Sequence, residues 1–196
     1  MYSVLWGSER PGLREDAGGQ GNARRSRKVT VAPLAQTPPF EPHPFGRYEQ
    51  AYIIHPWRDM LVCVWRGRPP LECVKVFEGA LLYVSNGAPD VVRMLHISEA
   101  SVELPEQNAR SALASVIKER GPLIRATAFA LLGKGARNAA VRAAITGLYL
   151  LSRAPAPTKV FDSVEPAAFW LDSENRGVAR EADIIKVAES LRSARI

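Results

Sequence analysis

The sequence is poor in the residues that carry most metal and redox chemistry. It holds only 2 cysteines and 3 histidines in 196 residues. Cys63 and Cys73 form neither a CxxC pair nor a His/Cys ligand spacing, so no zinc or thioredoxin-like site is encoded in recognisable form. Both read as small buried hydrophobes of a reducing compartment, one in a strand and one in a helix. His43, His55 and His96 are far apart, with no carboxylate–nucleophile pattern beside them, which leaves no triad to argue from. Long apolar runs are missing too. Arg, His or Gly breaks each one well short of the roughly 20 residues that a membrane-crossing helix needs. The opening "MYSVLWGSERPG" has no basic flank and no sustained apolar stretch, so it does not read as a signal peptide. The expectation is a cytoplasmic chain with no membrane span, no metal and no cofactor.

A strong charge asymmetry is also lacking. The net charge is +6, but Lys and Arg exceed Asp and Glu by only 7 to 5 over residues 1–50 and 14 to 10 over 51–171, and match them 5 to 5 over 172–196. The one basic cluster, "ARRSRK" ending at Lys28, reads as a solvated tail. Basic residues interleaved with aromatics on a strand, as nucleic-acid platforms need, are absent, so no specific nucleic-acid partner is expected.

What is present divides into three parts. Residues 1–47 read as a flexible arm, Gly-rich in "EDAGGQGNARRSRK" and Pro-rich in "PLAQTPPFEPHPFG", without enough apolar periodicity to offset ordering. Residues 48–171 carry a regular alternation. "QAYIIH" and "DMLVCVWRG", separated by "PWR", predict an antiparallel hairpin. In its second strand both faces are apolar. Helices follow over Leu71–Ser85, Pro105–Arg120 and Ala136–Arg153, with strands at Val91–Ile97, Arg125–Gly133 and "TKVFDS", then a short helix in "VEPAAFWL". In the strand from Arg125, Ala126, Ala128 and Ala130 share one face, which predicts very close packing, by a helix. Residues 172–196 read as a polar linker and a final amphipathic helix, Val178–Ala194. The order β-β-α-β-α-β-α-β-α plus one helix predicts an α/β fold: a single mixed sheet of 4–5 strands packed by 4–5 helices, its later strands parallel.

This order and the closing "FDSVE", Phe161 to Glu165, resemble the STAS superfamily, the sulphate transporter and anti-sigma-factor antagonist domains, most of all its stand-alone bacterial members. The likeness covers about Tyr48–Leu171. It implies a non-enzymatic regulatory module that binds a protein partner, kinase-like or sigma-regulatory. It also implies a phosphorylatable Ser or Thr, in an Asp-Ser-Ser/Thr-Gly motif, at the start of the helix after the central strand. Here that position reads "ELPEQN", and neither Pro105 nor Glu106 accepts a phosphate. Ser98 and Ser101 precede it and Ser111 lies inside the helix, so the switch does not carry over. The loop is read instead as part of a protein-binding surface, with Ser98, Glu99, Ser101, Glu103 and Glu106 as candidates.

Two other patches stand out. On the third helix Asn138, Arg142, Thr146, Tyr149 and Arg153 form a polar stripe, and Arg and Tyr are enriched where proteins meet. "GKGARN" offers a weaker anion-binding candidate through Gly133, Lys134, Gly135 and Arg137, without the spacing of a nucleotide loop. The alternative function is a carrier of small molecules or lipids, prompted by the related fold of CRAL-TRIO lipid-transfer domains and by the apolar helices. It requires an enclosed apolar pocket.

Overall fold

The computed structural model describes residues 42–152, 156–173 and 177–195, with the backbone alone at Arg137 and at 148–152. The arm expected over 1–47 lies outside the described residues as far as 41. Of its described residues, His43 and Phe45 lie against Tyr83, with ring centroids 4.9 and 4.4 Å away.

Six strands lie in chain order across one sheet: β1 (Arg47–Tyr48), β2 (Tyr52–Trp57), β3 (Met60–Trp65), β4 (Val92–Ser98), β5 (Ile124–Leu131) and β6 (Thr158–Phe161). β1, β2 and β3 pair antiparallel, and β3 through β6 pair parallel. The α/β mixed sheet is thus present with one more strand than the alternation predicts. The extra one is β1, two residues long and too short to leave a pattern. The hairpin turn is also displaced from "PWR". β2 runs through Pro56 to Trp57, and Arg58–Asp59 make the turn, with Arg58 at φ 53° as the tight mirror-image hairpin turns require. Pro56 is tolerated because β1 covers only Ile53 and Ile54, so β2 is an edge strand at that point.

β3 to β6 succeed one another without a reversal, so crossovers of one hand place their helices on one face. α1 (Glu72–Ser85), α2 (Gln107–Arg120) and α3 (Ala136–Ser152) lie there. α4 (Val164–Ser173) and α5 (Glu181–Ser193) cover the other face. Alternation along the strands serves both layers: Leu61, Cys63 and Met94 face α1–α3, while Met60, Val62, Val64, Leu95 and Ile97 face α4–α5. Among the described residues no helix is long and apolar enough to cross a membrane.

The alanine face behaves as the sequence predicts. Ala126, Ala128 and Ala130 are fully buried against α4, which meets them with Ala167 and Ala168. Small side chains on both surfaces let helix and sheet approach closely. α5 belongs to this same layer. Ile184, Ala188 and Leu191 are fully buried in it, so packed structure continues well past residue 171.

One charge is buried there. Arg93 is 0% exposed on β4, facing α4 and α5. Its Nε and Nη2 donate to the Asp59 carboxylate at 2.9 and 3.1 Å, Nη1 to the Leu171 carbonyl at 2.8 Å, and Nη2 to the Ala179 carbonyl at 2.8 Å. Asp59 also accepts the backbone N–H groups of Val178 and Ala179. Burial pushes the Asp59 carboxyl up, but the Arg93 hydrogen bond and charge, with those two N–H groups, hold it below the usual carboxylate range. The hairpin turn, the central strand and the α4–α5 connection are thereby tied at one point. Gly177 sits at the knot, where any Cβ would collide with both Asp59 and Arg93.

Candidate functional site

The α1–α3 face is packed less completely. A cavity of about 120 Å³ lies between the sheet and its three helices, near the C-terminal ends of β3, β4 and β5. Ligands of open α/β sheets bind at that end. Its floor is Trp65, His96, Ser98 and Phe129, each from or near a strand's end. Its walls are Cys73, Val74 and Phe77 of α1, Leu113 and Ile117 of α2, and Val141 and Ile145 of α3. The space exists because Ser98, Ala109 and Ala144 are small where their neighbours on the same elements are large. Its opening runs past Val102–Pro105 and Arg110.

The floor is an aromatic layer with one heterocycle of special position. His96 stacks on Phe129 with centroids 4.6 Å apart at 13°, and its ring is nearly parallel to that of Trp65. The Trp65 indole Nε1–H donates to His96 Nδ1 at 3.2 Å. Burial drives the imidazole pKa down to about 3, so the ring is neutral at physiological pH. Its Nε2 is buried and without a hydrogen-bond partner. The other such side-chain atom among the described residues, Thr127 Oγ1, lies outside the cavity lining. Cys73 on the wall is no ready nucleophile: burial and the nearby Glu72 raise its thiol to about 11. Cys63 and Cys73 are both free and buried.

The loop from Ser98 to Glu106 forms one side of the opening. Ser98 is 4% exposed and faces the cavity, whereas Ser101 is on the surface and donates to the Arg66 carbonyl at 2.6 Å. The three carboxylates are engaged within the chain: Glu99 with Arg192 at 2.7 Å, and Glu103 and Glu106 with Arg68 at 2.8 and 3.8 Å. These exposed or half-exposed pairs hold the loop's outer side to the β3–α1 connection and to α5, each contributing at most about 1 kcal/mol. The loop's apolar residues Val102 and Leu104 turn inward to the cavity. They, together with His96, are what attention to polar surface residues misses.

The α3 stripe is a separate surface. Arg142 pairs with Asp162 at 3.0 Å, and the Thr146 hydroxyl donates to the Arg142 carbonyl. The Tyr149 side chain and Arg153 lie outside the described residues. Around Gly133–Arg137, the Asn138 side-chain amide donates to the Gly133 carbonyl, and Lys134 is exposed. Gly135 takes φ 83° just before α3, a conformation that glycine adopts freely. The Arg137 side chain lies outside the described residues, and the loop does not line the cavity. No protein-family model matches this chain, and no curated protein or solved structure is significantly similar to it.

Proposed function

We propose that the protein is a cytoplasmic, non-enzymatic binding module whose recognition site is the cavity between the sheet and α1–α3. The observation that carries this reading is a lined, open-mouthed space of about 120 Å³ whose walls are almost wholly apolar. Dry cavities of comparable size, roughly 150 Å³, hold a benzene-sized guest. Removal of a small hydrocarbon surface from water is the driving force, at about 25 cal/mol per Å². A carrier or sensor of a small apolar molecule is therefore the function that the geometry supports best. Native mass spectrometry of protein purified without denaturation tests it. A co-purified small molecule that leaves on mild activation is expected, and a clean apo mass combined with no uptake of added ring-sized ligands would contradict it.

A second reading keeps the STAS-like regulatory role, with a kinase-like or sigma-regulatory protein as partner. It is supported by a surface feature outside the cavity. Phe45 and Tyr83 are 56% and 47% exposed and stack on each other at the surface, and Leu82 beside them is 38% exposed. Aromatic residues are enriched at interface cores. Pull-down from host lysate with wild type and with Phe45→Ser/Tyr83→Ser is the test. A defined partner lost in the double variant is expected, and unchanged capture would remove that surface.

A further inference from the structure

Resting on the cavity reading above, we propose that Arg68 is a bar across the cavity's mouth, and that its two ion pairs govern how fast a guest enters and leaves. The mouth has two banks. One is the β3–α1 connection, where Pro69 is buried and lines the cavity, directly after Arg68 in the chain. The other is the stretch from Val102 to Pro105, which leads into α2. The Arg68 guanidinium joins them. Its Nε and Nη2 donate to Glu103 Oε2 at 3.1 and 2.8 Å, and its Nη1 lies 3.8 Å from Glu106 Oε1. Those two carboxylates bracket Leu104 and Pro105 in the chain, so one side chain fastens both ends of a lip that lines the cavity.

The first half of the loop is fixed by other means. The Glu99 N–H donates to the Trp65 carbonyl at 2.9 Å, the Val102 N–H to the Glu99 carbonyl at 3.0 Å, and the Ser101 hydroxyl to the Arg66 carbonyl at 2.6 Å. Arg192 of α5 holds the Glu99 carboxylate. The hold then weakens. The Glu103 N–H reaches the Gly67 carbonyl only at 3.4 Å, and the backbone of Leu104 and Pro105 makes no hydrogen bond with any described residue. Pro105 has no N–H to offer. The lip therefore rests on apolar contact within, where both side chains are half-buried, and on Arg68 without. The side chains of Arg68, Glu103 and Glu106 are each more than half exposed, so water and salt reach these pairs and they break readily. A tie of that strength lets the lip move without loosening the fold.

The test measures exchange of cyclohexanone with the full chain, by line-shape analysis of the Val141 and Ile145 methyl signals from the cavity wall. It is run at roughly 0.01 M and 1 M salt, where charges are felt over about 30 and 3 Å. A neutral probe is not steered by charge, so its encounter with the protein does not depend on salt. Salting-out of the probe acts alike on wild type and on Arg68→Gln. Opening precedes both entry and exit, so the two rates are expected to rise together while affinity stays within about twofold. Wild type is expected to exchange about threefold faster at high salt, and Arg68→Gln to be as fast at low salt as wild type at high salt. Should Arg68→Gln not fold, Glu103→Gln/Glu106→Gln carries the same comparison. Equal rates in wild type and variant at both salts overturn the bar and leave the cavity reading standing. So does a variant that only releases faster and binds correspondingly more weakly, which would make Arg68 a support of the bound state. Absence of saturable binding in either protein overturns both.

Discussion

The two faces of the sheet treat a buried polar side chain in opposite ways. Toward α4 and α5, Arg93 is fully enclosed and its Nε, Nη1 and Nη2 all donate to oxygens: the Asp59 carboxylate, the Leu171 carbonyl and the Ala179 carbonyl. Toward α1–α3, only three residues and one face away, His96 is almost as deeply enclosed, and its Nε2 is unpaired. The first face is closed by small residues meeting small residues. The second has small residues, Ala109 and Ala144, facing a gap. A satisfied buried charge fixes geometry, whereas an unpaired buried group sits on the face that is packed less completely. The same strand, β4, supplies both.

The contrast can be broken most severely at Arg93. Arg93→Met leaves the Asp59 carboxylate and two backbone carbonyls without their donor, and is expected to cost about 3–5 kcal/mol in urea denaturation. Acid acts through two buried histidines, His96 on the α1–α3 face and His55 on β2. They hold folded pKa values of about 3 and about 4, below the roughly 6.5 of a free imidazole, so the unfolded chain takes up protons first as pH falls. Stability is complete above about pH 6.5 and declines toward pH 4. Between pH 6.5 and 5 the loss is expected at roughly 2 kcal/mol for each imidazole, read as a falling urea midpoint. The Asp59 carboxyl, held low, adds its own loss only at still lower pH.

Packing variants sharpen the comparison further. Ala128→Val, against α4, is expected to cost about 1–3 kcal/mol through overpacking. Ala144→Val, on the cavity wall, should leave the melting temperature within a few degrees and weaken uptake of ring-sized ligands. Equal destabilisation by the two substitutions would argue that the faces are packed alike. The smallest effect belongs to Arg142→Glu, which opposes Asp162 at an exposed position and should change stability by less than about 1 kcal/mol.

Much of the fold is legible in the chain because periodicity is a local signal. Val74, Phe77 and Leu81 repeat at helical spacing and all three are buried in α1. Ala126, Ala128 and Ala130 alternate, and a helix packs on them. What periodicity does not carry is pairing over distance. Arg93 reads as a polar interruption of a strand, since its partner Asp59 lies 34 positions earlier in a hairpin turn. α5 reads as an appendage because the polar "DSENRG" precedes it, although three of its side chains close the core. The cavity is harder still, being an absence of volume shared among three strands, three helices and a loop. Its one local trace is His96 followed two residues later by Ser98, both on the face of β4 that should be apolar. The loop from Ser98 to Glu106 draws attention by its position alone. Which of its side chains turn inward depends on Arg68 and Arg192 holding its carboxylates outward.

Methyl NMR of the full chain titrated with cyclohexanone tests the central claim most directly, because it reports on both faces at once. The methyls of Ile117, Val141 and Ile145, which line the cavity, are expected to shift and saturate, while those of Ile184 and Leu191 on the opposite face stay in place. No saturable shift on the α1–α3 side, or the same shift on both sides, would contradict a ligand site built into one face of this sheet.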